Sequence, residues 1–235
     1  MAANLNPVKK SSVRDRVSKD EWQVRVDLAA AYQLAPMFRW TDLIYTHFSA
    51  RVPASEDFLI NAYGLMFDEI TASNLVKIDR HGKILDDRST SYNEAGFVIH
   101  GGMHEARPEI NCVMHTHTRA GAAVSAMKCG LLPISQHAQC VQQMVTCHDY
   151  EGIALNIDER ARMAKNLGKE SMAMILRNHG LLTLGRTVPE AWDLIEGRAK
   201  IDAAGASVRR LSRAARCMSR VTPSTGGVSQ AICRP

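Results

Sequence analysis

Two short apolar runs that lead into histidines constrain this chain more than any other feature. Ile110-Asn111-Cys112-Val113-Met114-His115 follows Pro108, and Ser171-Met172-Ala173-Met174-Ile175-Leu176 runs through Arg177 and Asn178 into His179-Gly180. Each is too short for a stable helix and is bounded by turn residues, so each reads as a strand. The fold must therefore carry histidines at the exits of two strands.

The rest of the pattern alternates short strands with helices. Ser18 and Glu21 have capping-box spacing, and Trp22, Val26, Ala29, Ala30 and Gln33 form a helical stripe that Pro36 ends. Strands are expected at residues 46–52, 58–61 and 75–79, with a hairpin turn at Arg80-His81-Gly82-Lys83. A helix runs from Asn93 to Ala106. The small residues 120–127 suit a buried helix, and 141–146 reads as a strand. An amphipathic helix spans 158–167 before Gly168, residues 180–185 turn and return, and a last helix starts at Thr187-Val188-Pro189-Glu190. This order predicts α/β layers around a mixed, largely antiparallel sheet. No internal repeat is visible. The organisation expected is a flexible arm over 1–17, one domain over 18–200 and an Arg-rich tail over 201–235.

Composition narrows the class. Of 235 residues, 46% are hydrophobic, which excludes wholesale disorder. No apolar run reaches the ~18 residues of a membrane span, and the N-terminus lacks a signal-peptide core, so a cytoplasmic protein with reduced thiols is expected. The formal net charge of +5 comes from 29 basic against 24 acidic residues. Six of the arginines, and no acidic residue, lie in the last 33 positions. That leaves 23 basic and 24 acidic residues before position 203, a net of −1. The Arg-rich end lacks interleaved aromatics and reads as a divergent or frameshifted terminus, so no nucleic-acid partner and no membrane partner are expected.

Chemistry concentrates in the nine histidines. His115 and His117 are two apart at a strand exit, which puts both imidazoles on one face about 6–7 Å apart. His179 precedes Gly180, where the backbone can turn close to a ligand. Three neutral imidazoles leave a coordination position open on a divalent metal, the arrangement of a catalytic site. A carboxylate is then needed for proton transfer, and Glu94, opening the helix at 93–106, is the candidate. His100 and His104, spaced i, i+4 on that helix, read as packing or supporting groups. His47, His81 and His148 have no special context. His137 lies in an expected loop.

These residues resemble the class II aldolase/adducin family. The resemblance runs through Thr46-His47-Phe48-Ser49-Ala50-Arg51, Phe58-Leu59-Ile60-Asn61-Ala62-Tyr63-Gly64 and Glu69 to Asp79. It continues in His115-Thr116-His117 and Asn178-His179-Gly180-Leu181, and covers roughly residues 20–200. It implies a three-layer α/β/α domain, commonly a homotetramer with active sites at subunit interfaces. It implies that His115, His117 and His179 bind one zinc, manganese or other divalent ion per chain, and that Glu94 is catalytic. The family's phosphate-binding positions match His47, Tyr63-Gly64 and Tyr92-Asn93, and only Gly64 is kept, so Tyr63, Gly64 and Asn93 are expected to bind a substrate other than the usual sugar phosphate. His137 falls near the aldolases' tyrosine proton donor. The function implied is a metal-dependent lyase that splits a C–C bond of a hydroxy-carbonyl substrate through a metal-stabilised enediolate. A decarboxylase of the same family and a non-catalytic adducin-like module are the alternatives.

Overall fold

The computed structural model describes residues 12–86 and 90–195. The Arg-rich tail lies outside them. Within the expected arm, Val13–Arg16 form one helical turn, α1, capped by Ser12.

Seven strands form one sheet: β1 His47–Arg51, β2 Phe58–Ile60, β3 Val76–Ile78, β4 Cys112–Thr116, β5 Val145–His148, β6 Ala173–Leu176 and β7 Gly180–Gly185. Their order is β3-β2-β1-β4-β7-β6-β5. Every pairing is antiparallel except β5–β6, as expected of a mixed, largely antiparallel sheet. The parallel pair follows from a helix inserted between its strands, which carries the chain back to its starting end. That helix is α6, Glu159–Leu167, and Gly168 (φ 65°) terminates it.

Alternation along the strands divides the core in two. Phe48, Ala50, Cys112 and Met114 pack against α2 (Lys19–Leu34) and the helical segment 188–195. Farther along that face, Ala173, Ile175 and Leu181 meet α4 (Arg119–Ser125) and α5 (Gln136–Gln142). Val113, Met174, Leu182 and Leu184 point the other way, onto α3 (Glu94–Ala106) and α6. Helices thus cover both faces, which gives three layers. Arg160 of α6 fastens α3 by donating to the carbonyls of Phe97 (2.8 Å) and Val98 (3.1 Å), with its guanidinium over the Phe97 ring.

Two expectations need correction. The buried face of α2 carries Glu21, Arg25, Leu28, Ala29, Ala31 and Tyr32, while Val26 and Ala30 are exposed. The face is rotated because it buries an ion pair, Glu21–Arg25 at 2.9 Å, which periodicity counts as polar. Ser18 still caps the helix through the Glu21 amide, at 3.0 Å. Second, 141–146 is not one strand. Helix α5 runs to Gln142 and β5 begins at Val145, because the Ser135 hydroxyl caps a helix there by accepting from the Ala138 amide. Among the described cysteines, Cys112 is buried and free, and Cys129 and Cys140 are exposed and free, as expected of reduced thiols.

Candidate metal centre

Strand β4 delivers His115, and His117 follows where the chain leaves the sheet. His179 lies in the turn joining β6 to β7, beside β4 through the β4–β7 ladder. Sequence neighbours shape this meeting. Asn178 adopts φ 54°, a left-handed conformation that Asn tolerates better than most residues. Gly180 has no room for a side chain: a Cβ there would lie 2.5 Å from the Thr116 carbonyl oxygen and 2.9 Å from Cδ2 of His117.

One potential ligand atom from each of the three histidines falls within 4.8 Å of the others. The ring centroids stand 4.7 to 4.8 Å apart. His115 is buried, while His117 and His179 are partly exposed.

Supporting contacts decide which nitrogen each ring offers. The Nδ1–H of His115 donates to the Leu181 carbonyl at 3.0 Å, and the Nδ1–H of His117 donates to Asp42 Oδ2 at 2.8 Å. Both rings are then tautomers with a lone pair on Nε2, and the two Nε2 atoms approach to 2.9 Å. Two lone pairs aimed at one point fit a cation between them, and a carboxylate behind a histidine is a common support for a metal ligand. Burial holds the pKa of His115 well below the ordinary imidazole value. Burial and the neighbouring His117 lower that of His179 to about 4. All of this fits three neutral nitrogen ligands for one divalent ion.

Asp42 gave no sequence signal, because it lies 75 residues from His117. Its segment is held by aromatic packing: the Trp40 ring lies tilted against Trp192 at 4.7 Å and Phe38 at 4.9 Å. Arg39 (φ 60°) and Leu43 (φ 50°) adopt left-handed conformations on either side of it, local strain near the carboxylate. A shallow cleft opens beside His179, lined by Ile99, His148, Tyr150, Glu159 and Arg177 among others. Tyr150, 6.4 Å from the His179 ring, also escaped notice in the sequence.

The other sequence candidates are more dispersed. Glu94 is exposed in the first turn of α3, and its carboxylate is not part of the three-histidine cluster. Asn93 caps that helix, its Oδ1 accepting from the Ala95 amide at 3.0 Å. Tyr63 is 47% exposed, and Gly64 follows with φ 91°. His137 is exposed in the first turn of α5, not in a loop. His47, which the resemblance matches to a phosphate-binding position, pairs with His115 across β1–β4, and their rings stand 5.2 Å apart.

Comparison with known proteins identifies relatives of this domain. Residues 26–200 match the family model described as the class II aldolase and adducin N-terminal domain. A Pseudomonas aeruginosa protein provisionally named as an aldolase class 2 protein is 52% identical over 182 residues, 77% of this chain and 70% of its own length. Rat alpha-adducin is 46% identical over 193 residues, covering 80% of this chain but only 26% of the adducin. A crystal structure of an aldolase II superfamily protein from Pseudomonas syringae superposes with a TM-score of 0.83 at 50% identity, covering 92% of each chain. L-fuculose 1-phosphate aldolase from Glaciozyma antarctica superposes with a TM-score of 0.71 at 27% identity, over 83% of this chain and 75% of that one.

Proposed function

This chain belongs to the class II aldolase and adducin N-terminal domain family, and from that membership we propose that it is a divalent-metal-dependent lyase acting on a small hydroxy-carbonyl substrate. One observation carries the reading: the Nε2 atoms of His115 and His117 converge beside His179 with their tautomers fixed from behind. A binding module has no use for ligand atoms oriented in this way. His115, His117 and His179 hold one zinc, manganese or similar ion. When bound, the ion acts as a Lewis acid toward the negative charge that develops on substrate oxygen as a C–C bond breaks. Glu94 transfers the proton, with His137 and Tyr63 as the acids within this domain. Gly64 and Asn93 line the substrate's path at the turn after β2 and the start of α3. The working form is a cytoplasmic homo-oligomer, a tetramer by family analogy. Exposed apolar side chains support that assembly, among them Met37 (77% exposed) and Ile153 (76%).

The identity to alpha-adducin supports a second reading, an interaction module without turnover. Metal analysis and a cleavage screen separate the two. The lyase reading expects about one ion per chain, C–C cleavage of at least one hydroxy-carbonyl compound, and loss of both in His115→Ala. A folded, metal-free protein that cleaves nothing after zinc or manganese loading would favour the module.

A further inference from the structure

Four side chains run from the metal-centre face of the sheet into α3 as one unbranched hydrogen-bond chain. Its direction is set at the far end. A backbone carbonyl only accepts, so the Nδ1–H of His104 donates to Ile110 O at 3.3 Å. The other nitrogen of His104 is then an acceptor, and the Ser49 hydroxyl donates to it at 2.9 Å. The Ser49 oxygen accepts from His100 Nδ1–H at 2.7 Å. His100 Nε2, in turn, accepts from His47 Nδ1–H at 2.8 Å. The three rings are at most 3% exposed, and no carboxylate joins the chain, so a charge on any of them would be buried without a counter-charge. Each stays neutral, and the order of donors ends with a lone pair, and no hydrogen, on Nε2 of His47.

That nitrogen has no hydrogen-bond partner among the described residues. Nor does it count among the sealed, unpartnered polar atoms, which are Thr46 Oγ1 and Thr116 Oγ1. The ring stands directly across the ladder from His115 and packs closely on Gly96, where a Cβ would lie 3.1 Å from Cγ and Cδ2 of His47.

We propose that His47 is a substrate-contacting, specificity-determining residue whose Nε2 accepts a hydrogen bond from a substrate hydroxyl beside the three-histidine cluster. The dianion of a phosphate monoester offers only acceptor oxygens and meets this atom lone pair to lone pair. The residue therefore selects a neutral, hydroxyl-bearing group at this position over a phosphorylated one. The inference takes the word substrate from the lyase reading, but its tests do not depend on turnover.

Long-range proton–nitrogen NMR on the full chain, before and after zinc loading, reports the His47 tautomer directly. The expected result is a protonated Nδ1 and a bare Nε2 in both states. A protonated Nε2 would overturn the proposal, as would a zinc-induced change at His47 matching that of the ligand histidines. The variant His47→Asn keeps an N–H donor toward His100 and removes the Nε2 acceptor. With zinc-loaded protein it should bind dihydroxyacetone about fivefold more weakly than wild type at unchanged zinc content, whereas binding of methyl phosphate, whose dianion carries no O–H at pH 8, should not be weakened by the substitution. Unchanged dihydroxyacetone binding in the variant, or methyl phosphate binding in wild type that the variant loses, would refute it. Should the variant fail to fold, the wild-type tautomer still decides. Correct tautomer and binding without any C–C cleavage would sink the lyase reading alone.

Discussion

Removing the Asp42 carboxylate tests whether the metal centre is organised from behind. Asp42 Oδ2 accepts from His117 Nδ1–H at 2.8 Å and so reserves Nε2 of that ring for a ligand. In Asp42→Ala nothing in the protein fixes the tautomer, and the form with hydrogen on Nε2, which cannot bind metal, becomes populated. Loss of such supporting groups weakens metal binding about 10- to 100-fold. The Asp42 side chain is 46% exposed and that of His117 20%, so water replaces part of the lost contact and the effect belongs at the low end. The expected loss of zinc affinity is about tenfold, or ~1.4 kcal/mol. Asp42→Asn, whose amide oxygen can still accept, should lose less, about threefold, by the same conversion. Competition against a chromophoric zinc chelator at fixed pH measures both. Wild-type affinity in Asp42→Ala would refute the argument. So would equal losses in the two variants, because the tautomer lock predicts that an uncharged acceptor rescues part of the effect.

The remaining expectations concern packing and pH. Gly180→Ala forces a Cβ against the Thr116 carbonyl and the His117 ring, and such overpacking should destabilise the fold by about 1–3 kcal/mol and lower zinc affinity, read by thermal melting and metal titration. Arg25 is 1% exposed, donates to the Leu75 carbonyl at 2.9 Å and keeps a longer ion pair to Asp86 at 3.9 Å, so Glu21→Gln, which removes its nearer charged partner, should destabilise by about 1–3 kcal/mol, as urea melts would show. Tyr32→Phe removes the oxygen that accepts from the Phe48 amide at 2.6 Å in a fully buried site, a loss of about 1–3 kcal/mol in the same assay. Burial, with a contribution from Arg51, depresses His104 to about 3, so between pH 6.5 and 3 the unfolded chain binds a proton that the folded one refuses. Stability should therefore fall with falling pH by about 1.4 kcal/mol per pH unit for this ring, a contribution absent in His104→Gln, as urea midpoints at pH 7.5 and 5.5 would show.

Local patterns were legible where local chemistry decides the structure. The helix from Asn93, the stop at Gly168, the turn at Gly82 and the histidine pair at the end of β4 all depend on neighbours a few positions away. The α2 face was misread because its buried stripe includes Glu21 and Arg25, whose burial depends on each other and on carbonyls near Leu75, about 50 residues on. The segment around 141–146 was misread because a serine cap outweighed an apolar run. At the candidate site, the three clustered histidines stood out by spacing and context, but the groups behind them did not. Asp42 and His47 reach the centre through a strained turn and a ladder register, and neither leaves a mark in the spacing of residues.

That ladder has a consequence for how such a centre is gained and lost. His115 takes its position from backbone pairing with β1 on one side and β7 on the other, and no imidazole takes part in either ladder. The strands would keep their register with other side chains in place of the histidines. The candidate metal centre and the architecture are therefore separable here: replacing the histidines would remove the one and leave the other standing.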